Sequence, residues 1–225
     1  MLNESIIEGI SDIASLGIDD FDDEMQGVAE RLALAYLTGR CRAAECRQNG
    51  ASDILTVWLH SQVRRDRDQW VHRRTGCVFR MVNRVSNYDS NLTWMSEAVE
   101  AGFLDVAKTC ITGGSPLWSD TTNDIFRGLH DVAHVEYGLG FTTEAECHLA
   151  LLTCDDFLKW VNQTPILDPI WAGHWDEATI TQARDALLSE IALQAVAVWW
   201  LGGFDKTREN PYTGEVLHYS QKVIV

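Results

Sequence analysis

Apolar positions along this chain recur mostly at helical spacing. The stretch "EMQGVAERLALAYLTGRCRAAEC" (24–46) repeats them every three or four residues, with Gly39 as a weak interruption, and predicts a helix. "ASDILTVWLHSQVRRDRDQW" (51–70) predicts a second helix, capped by Ser52 and running into a basic, exposed end. "TGCVFRMVNRV" (75–85) alternates at Cys77, Phe79, Met81 and Val85, so a short strand is allowed there. "NLTWMSEAVEAGFLDVAKTCI" (91–111) predicts one or two helices, and "TGGSPLWSDTTN" (112–123) a loop. A helix is expected from near Asp120 to Gly138, and another from Thr142 or Thr143 to about Val161. A loop over 161–175 then leads to a long helix over 176–203. The prolines stand at 116, 165, 169 and 211, so the first 115 residues have none, which favours helices. These patterns predict a mainly α fold: a single helical domain over 1–225 with at most a minor β element. Residues 204–225 read as an extended C-terminal tail, with turn chemistry at "NPYTGE" and room for a short strand.

Composition sharpens this picture in three places. The chain is 46% hydrophobic, enough to enclose a sizeable core. Its formal charge is −15, from 33 acids and 18 bases, which argues against a broad nucleic-acid surface. Seven arginines nevertheless fall in 64–84: Arg64, Arg65, Arg67, Arg73, Arg74, Arg80 and Arg84. The six cysteines (41, 46, 77, 110, 147, 154) form no C-x-x-C pair, so a zinc ribbon is not expected. The start "MLNESIIEGI" does not resemble a signal peptide, and "IALQAVAVWWLGGF" is too short to span a bilayer. The expectation is a cytoplasmic protein with free thiols and no membrane partner.

The candidate chemistry lies in "RGLHDVAHVEYGLGFTTEAECHLAL" (127–151). His130 and His134 are four residues apart, so on a helix they sit one turn apart and their rings can converge on one ion. Neutral imidazole with carboxylate suits a divalent metal: Zn, Mn or Fe. The same spacing also arises where two histidines merely pack. Asp131, beside the first histidine, is placed to take a proton from a metal-bound water. Glu146 is the best third ligand, because the turn "YGLGF" returns the chain toward the histidines. Its competing role is the acid of a capping box that begins at Thr143. Glu136 falls near the middle of the apolar face, where a carboxylate needs a partner. It is therefore a catalytic acid near the metal, an ion-pair partner for a residue such as Arg127, or a sign that the helix stops earlier. Glu190 is the lone acid between Asp185 and Asp205 in an apolar helix, with Gln194 one turn on. Desolvation makes it a metal-ligand candidate too, and an ion pair with an arginine of 64–84 is its alternative.

Three resemblances attach to these letters. His130-Asp131-x-x-His134 is similar to the zincin pattern H-E-x-x-H with Asp for Glu, which implies two histidines on zinc and an acid that activates water. It also resembles the His-Asp doublet of HD-domain phosphohydrolases. That likeness implies an upstream histidine (His60 or His72) and a downstream aspartate (Asp155, Asp168 or Asp185). The segment further resembles uncharacterised phage and mobile-element proteins with the pattern F-R-x-x-H-D-x-x-H-x(6)-F-x(4)-E. Phe126, Arg127, His130, Asp131, His134, Phe141 and Glu146 fit it. Gly128 and Ala145 depart from it, and no activity is implied.

The leading expectation is a metal-dependent hydrolase for a small-molecule, nucleotide or phosphoester substrate, using the arginines of 64–84 against phosphate. A non-haem iron or di-iron oxygenase in a helical bundle is the second, although no E-x-x-H pair supports it. A non-enzymatic acidic phage-type inhibitor or structural protein is the third. Serine or cysteine nucleophiles, a P-loop and a G-x-G-x-x-G turn find no support.

Overall fold

The computed structural model describes residues 2, 4–16, 23–39, 49–83, 91–112, 115, 117–167 and 175–201, with the pairs 208–209 and 216–217. It is mainly helical, with one small four-stranded sheet and a two-stranded ribbon. The chain divides into two compact units, each made of two stretches: Met1–Trp58 with Thr142–Ala197, and Leu59–Phe141 with Val198–Val225.

The first unit is a set of packed helices. α1 (Glu4–Leu16) buries Ile6, Ile10 and Ile13, spaced to share one face. It packs on α2 (Asp23–Gly39), where Gly9 lets the two backbones approach: a Cβ there would stand 3.0 Å from Val28. α3 (Ala51–Gln62) starts at Gly50, whose carbonyl accepts from Asp53 and Ile54; Ser52, the expected cap, lies inside the helix. α7 (Thr143–Leu167) also packs against α1, and Trp58 meets its Phe157 edge-on at 5.5 Å. α8 (Glu177–Leu188) is capped by Asp176, which accepts from the Thr179 backbone N–H at 2.8 Å. It continues through a π turn (Ser189–Leu193) into α9 (Gln194–Leu201). The loop expected over 161–175 begins later than read, because α7 continues to Leu167. Cys41 and Cys46 lie outside the described residues.

The second unit is built on the sheet. β1 (Val63–Asp66), β2 (Gln69–His72) and β3 (Val78–Val82) are antiparallel neighbours, and β4 (Phe103–Ala107) runs parallel to β3. A parallel pair needs a crossover. α4 (Leu92–Glu100) lies on that connection, capped by Asn91, which accepts from the Trp94 N–H. Two expectations are corrected here. The basic end of the helix predicted over 51–70 is a hairpin, and the stretch 91–111 contains a strand as well as a helix. The hairpin turns at Arg67-Asp68, a pair without the glycine or asparagine that marks such turns. α5 (Thr109–Thr112) is tied to α6 (Asp120–Tyr137) by Thr109, whose hydroxyl donates to Asp124 at 2.6 Å. α6 covers the sheet so closely that Gly128 lies directly on the buried Phe79 ring. Of the tail 204–225, β5 (Arg208–Glu209) and β6 (Val216–Leu217) are described, as an antiparallel pair.

His72 is buried in this unit, its Nδ1 2.9 Å from the Thr75 hydroxyl. Burial lowers its pKa, with Glu136 opposing and Arg74 assisting. Above the unfolded value of about 6.5 the ring is neutral in both states, so nothing is lost. As pH falls below it, the unfolded chain takes up a proton that the folded chain resists, and stability declines. The thermal midpoint is expected to fall from pH 7 to 5.5 more steeply in the native chain than in His72→Gln. Equal slopes would remove His72 from the pH response.

Candidate metal centre

The site begins with how α6 ends. Ser119 caps its start by accepting from the Thr122 N–H at 3.3 Å. At its end Gly138 takes a left-handed φ of 66°, a conformation glycine adopts without strain. The chain therefore folds back, and the Leu139 N–H donates to the His134 carbonyl at 3.0 Å. The same fold-back brings the Leu139 carbonyl 3.1 Å from His134 Nδ1. A carbonyl only accepts, so His134 carries its proton on Nδ1 and leaves the Nε2 lone pair available. This is the orienting bond that metal-binding histidines commonly make with their other nitrogen.

His134 Nε2 faces His130 Nε2 at 3.1 Å, with the rings nearly perpendicular (87°). Two nitrogens each about 2.0–2.1 Å from one tetrahedral ion would stand roughly 3.3 Å apart, so the pair has the spacing of adjacent ligands. That separation also suits a hydrogen bond from His130 Nε2–H to His134. Aromatic rings hold both imidazoles: Phe126 stacks on His130 at 5.9 Å, and Phe141 lies against His134 at 4.5 Å. His134 is fully buried and His130 half-buried.

Glu146 joins them. One ligand atom from each of His130, His134 and Glu146 lies within 4.8 Å of the others, and this group could hold a metal ion. The local start of α7 also bears on the capping alternative. Thr142, not Thr143, caps the helix, its hydroxyl accepting from the Ala145 N–H at 3.3 Å. The acid of a capping box belongs three residues past the cap, a place Ala145 holds, so Glu146 is out of register for it.

The other candidates are placed as follows. Asp131 is half-buried beside His130 on α6. Glu136 is ion-paired, but with Arg74 rather than Arg127: Arg74 Nε donates to Oε1 at 2.7 Å, and its Nη2 bonds Oε2. The helix does not stop before it, since α6 reaches Tyr137. Glu190 is half-buried in the π turn and stands outside the three-residue group. Gln194 donates to the Tyr36 hydroxyl at 3.1 Å.

The helices α7 and α8 are packed neighbours in one unit, and the Cys154 thiol donates to the Arg184 carbonyl at 3.7 Å. The π turn that carries Glu190 also packs against α7.

Neither His60 nor His72 enters the group, Asp185 is paired with Arg184, Asp155 is exposed, and Asp168 lies outside the described residues. Burial pushes the Cys77 thiol up to about 11 and Cys154 to about 12, and it raises Cys147 with help from Glu146 and Glu144. These thiols stay protonated near neutrality and are poor nucleophiles. The Arg74 partner of Glu136 was missed because nothing in the sequence pairs a hairpin with a helix end 62 residues away. Among the described residues no helix is long and apolar enough to cross a membrane. Comparison of the chain with family profiles, characterised proteins and solved structures returned no match.

Proposed function

We propose that this protein is a metal-dependent hydrolase whose divalent ion (Zn, Mn or Fe) is held by His130, His134 and Glu146 and which acts on a phosphoester or nucleotide. The observation that carries this reading is the Nδ1–H bond from His134 to the Leu139 carbonyl. It commits the Nε2 lone pair to the point where His130 and Glu146 converge. An ion there would polarise a bound water and lower its pKa toward neutrality. Asp131 is the acid assigned to take the water's proton. Glu136 is the weaker choice, because both of its oxygens already accept from the Arg74 guanidinium.

The deciding experiment is metal analysis with a phosphodiester hydrolysis assay. One equivalent of zinc or manganese with metal-dependent turnover supports the proposal. Two irons with an oxo-bridge absorption support the oxygenase alternative. No metal, with stability unchanged in chelator, supports a non-enzymatic protein. Glu190→Gln extends the test, since it keeps the side chain's shape and removes its charge. If Glu190 acts on the ion, affinity or turnover falls on the order of 10–100-fold at unchanged helix content. A variant that melts early yet binds metal normally would make Glu190 a structural acid and confine the site to the α6–α7 hairpin.

A further inference from the structure

The β1–β2 hairpin is out of character with the rest of the molecule. Residues 63–74 hold five arginines and two aspartates in a chain whose overall charge is −15. β1 is an edge of the four-stranded sheet, and Arg64, Arg65, Arg67, Arg73 and Arg74 are all exposed. Arg64 and Arg65 lie near Asp66 and Asp68 at 3.7 and 4.0 Å. Such solvent-exposed pairs are weak and easily exchanged for phosphate. Arg65 and Trp70 are cross-strand partners, and the guanidinium sits over the indole ring at 5.6 Å. His60 meets the same ring edge-on at 5.3 Å, so Trp70 is fixed in place and half-buried.

The tip of the hairpin adds an independent observation. Arg67 has φ 54°, the only left-handed non-glycine among the described residues. Glycine or asparagine would adopt this conformation at lower cost. The chain instead places a long cation there, in a conformation that carries strain for a residue with a Cβ. The two-residue turn itself requires a positive φ at this position, so what Arg67 adds is an exposed cation at the tip where glycine would turn the chain at lower cost.

We infer that this hairpin binds single-stranded nucleic acid, with Arg65 and Arg67 on the phosphates and the Arg65–Trp70 stack, on the face that Arg65 and Trp70 share, as the platform for an unpaired base. Arginines following a backbone beside an aromatic ring are what single-strand recognition requires. A paired base would not reach the ring. The narrow extent of the patch agrees with the acidic balance elsewhere: it suits a few nucleotides and not a broad surface. Arg74, at the base of the same hairpin, bonds Glu136 on α6, so the binding element is tied to the helix that carries His130 and His134. The inference deepens the hydrolase reading by naming its substrate class, and binding alone tests it, so the two fail separately.

The test is fluorescence anisotropy of a labelled oligothymidylate with the full chain, in low salt and in chelator to silence any cleavage. Saturable binding that weakens steeply with salt is expected. Arg65→Ala, and separately Trp70→Leu, should each lower affinity on the order of tenfold with unchanged circular dichroism, whereas Arg64→Ala, on the other face of the strand, should lower it less. Arg67→Gly is the sharpest variant: relief of strain should hold or raise the thermal midpoint while affinity falls. Turnover without hairpin-dependent binding would overturn the inference and leave the metal site standing. Binding retained in His134→Ala, with metal lost, is expected. Absence of binding by the native chain overturns the inference, as does undiminished binding by Arg65→Ala. So does equal competition by inorganic polyphosphate with no effect of Trp70→Leu, which would leave only generic charge.

Discussion

Replacing His134 with alanine is expected to lower metal affinity by a hundredfold or more and to abolish any metal-dependent turnover. Second-layer partners of a metal site are typically worth about 10–100-fold, and His134 is proposed as a direct ligand. Its loss removes one of two nitrogens and leaves His130 and Glu146, a set too sparse to retain zinc against solvent. His130→Ala should do the same. The two differ in their effect on folding. His134 is fully buried and bonded to Leu139, so its alanine variant also opens a cavity and frees the turn after α6. His130 is half-buried, and its replacement should lower the thermal midpoint less. Titration with zinc and melting of both variants separates the two effects. His148→Ala, at an exposed position on α7, is the control and should leave metal binding intact. Unchanged metal content in both histidine variants would show that the 3.1 Å contact is only a hydrogen bond between packed rings.

Gly128→Ala is expected to destabilise the protein, against the ordinary preference of a helix interior. Alanine normally gains about 1 kcal/mol over glycine there. Here a Cβ would stand 2.5 Å from Phe79 Cδ2 and 2.7 Å from Cε2, and Phe79 is fully buried. The ring cannot swing to solvent, so α6 must rise from the sheet or Phe79 must leave its rotamer. Overpacking of this kind costs about 1–3 kcal/mol, and the thermal midpoint should fall by several degrees. Gly128 is also two residues before His130, so a displaced α6 should weaken metal binding as well. Phe79→Leu in the same chain should recover part of the loss, giving a coupling that separate sites would not show. A Gly128→Ala protein that melts at or above the native temperature would mean the helix and sheet are less tightly packed than these distances state.

What the sequence determined by itself was local. α6 was legible end to end, because Ser119, the apolar stripe and Gly138 act within a turn or two of chain. The i, i+4 histidine pair and the return of the chain toward Glu146 were legible for the same reason, since both follow from helical pitch and one short turn. The mainly helical character followed from spacing and from the missing prolines.

Tertiary structure decided the rest. Residues 63–66 became a strand because the partner on β2 completed their hydrogen bonds, and Arg67-Asp68 carried no turn signal to announce it. Strand β4 formed where helical and extended patterns overlap, and its parallel partner β3 lies more than twenty residues upstream. Gly128 looked like a mild departure until Phe79 was found beneath it. Glu136 found Arg74 across the same unit. The tautomer of His134 depended on where one backbone carbonyl came to rest. Spacing tells which side chains share a helix face, because the pitch is a property of the backbone. It cannot tell which groups from distant stretches meet, because those meetings are settled by packing and by the hydrogen bonds that buried polar groups must complete.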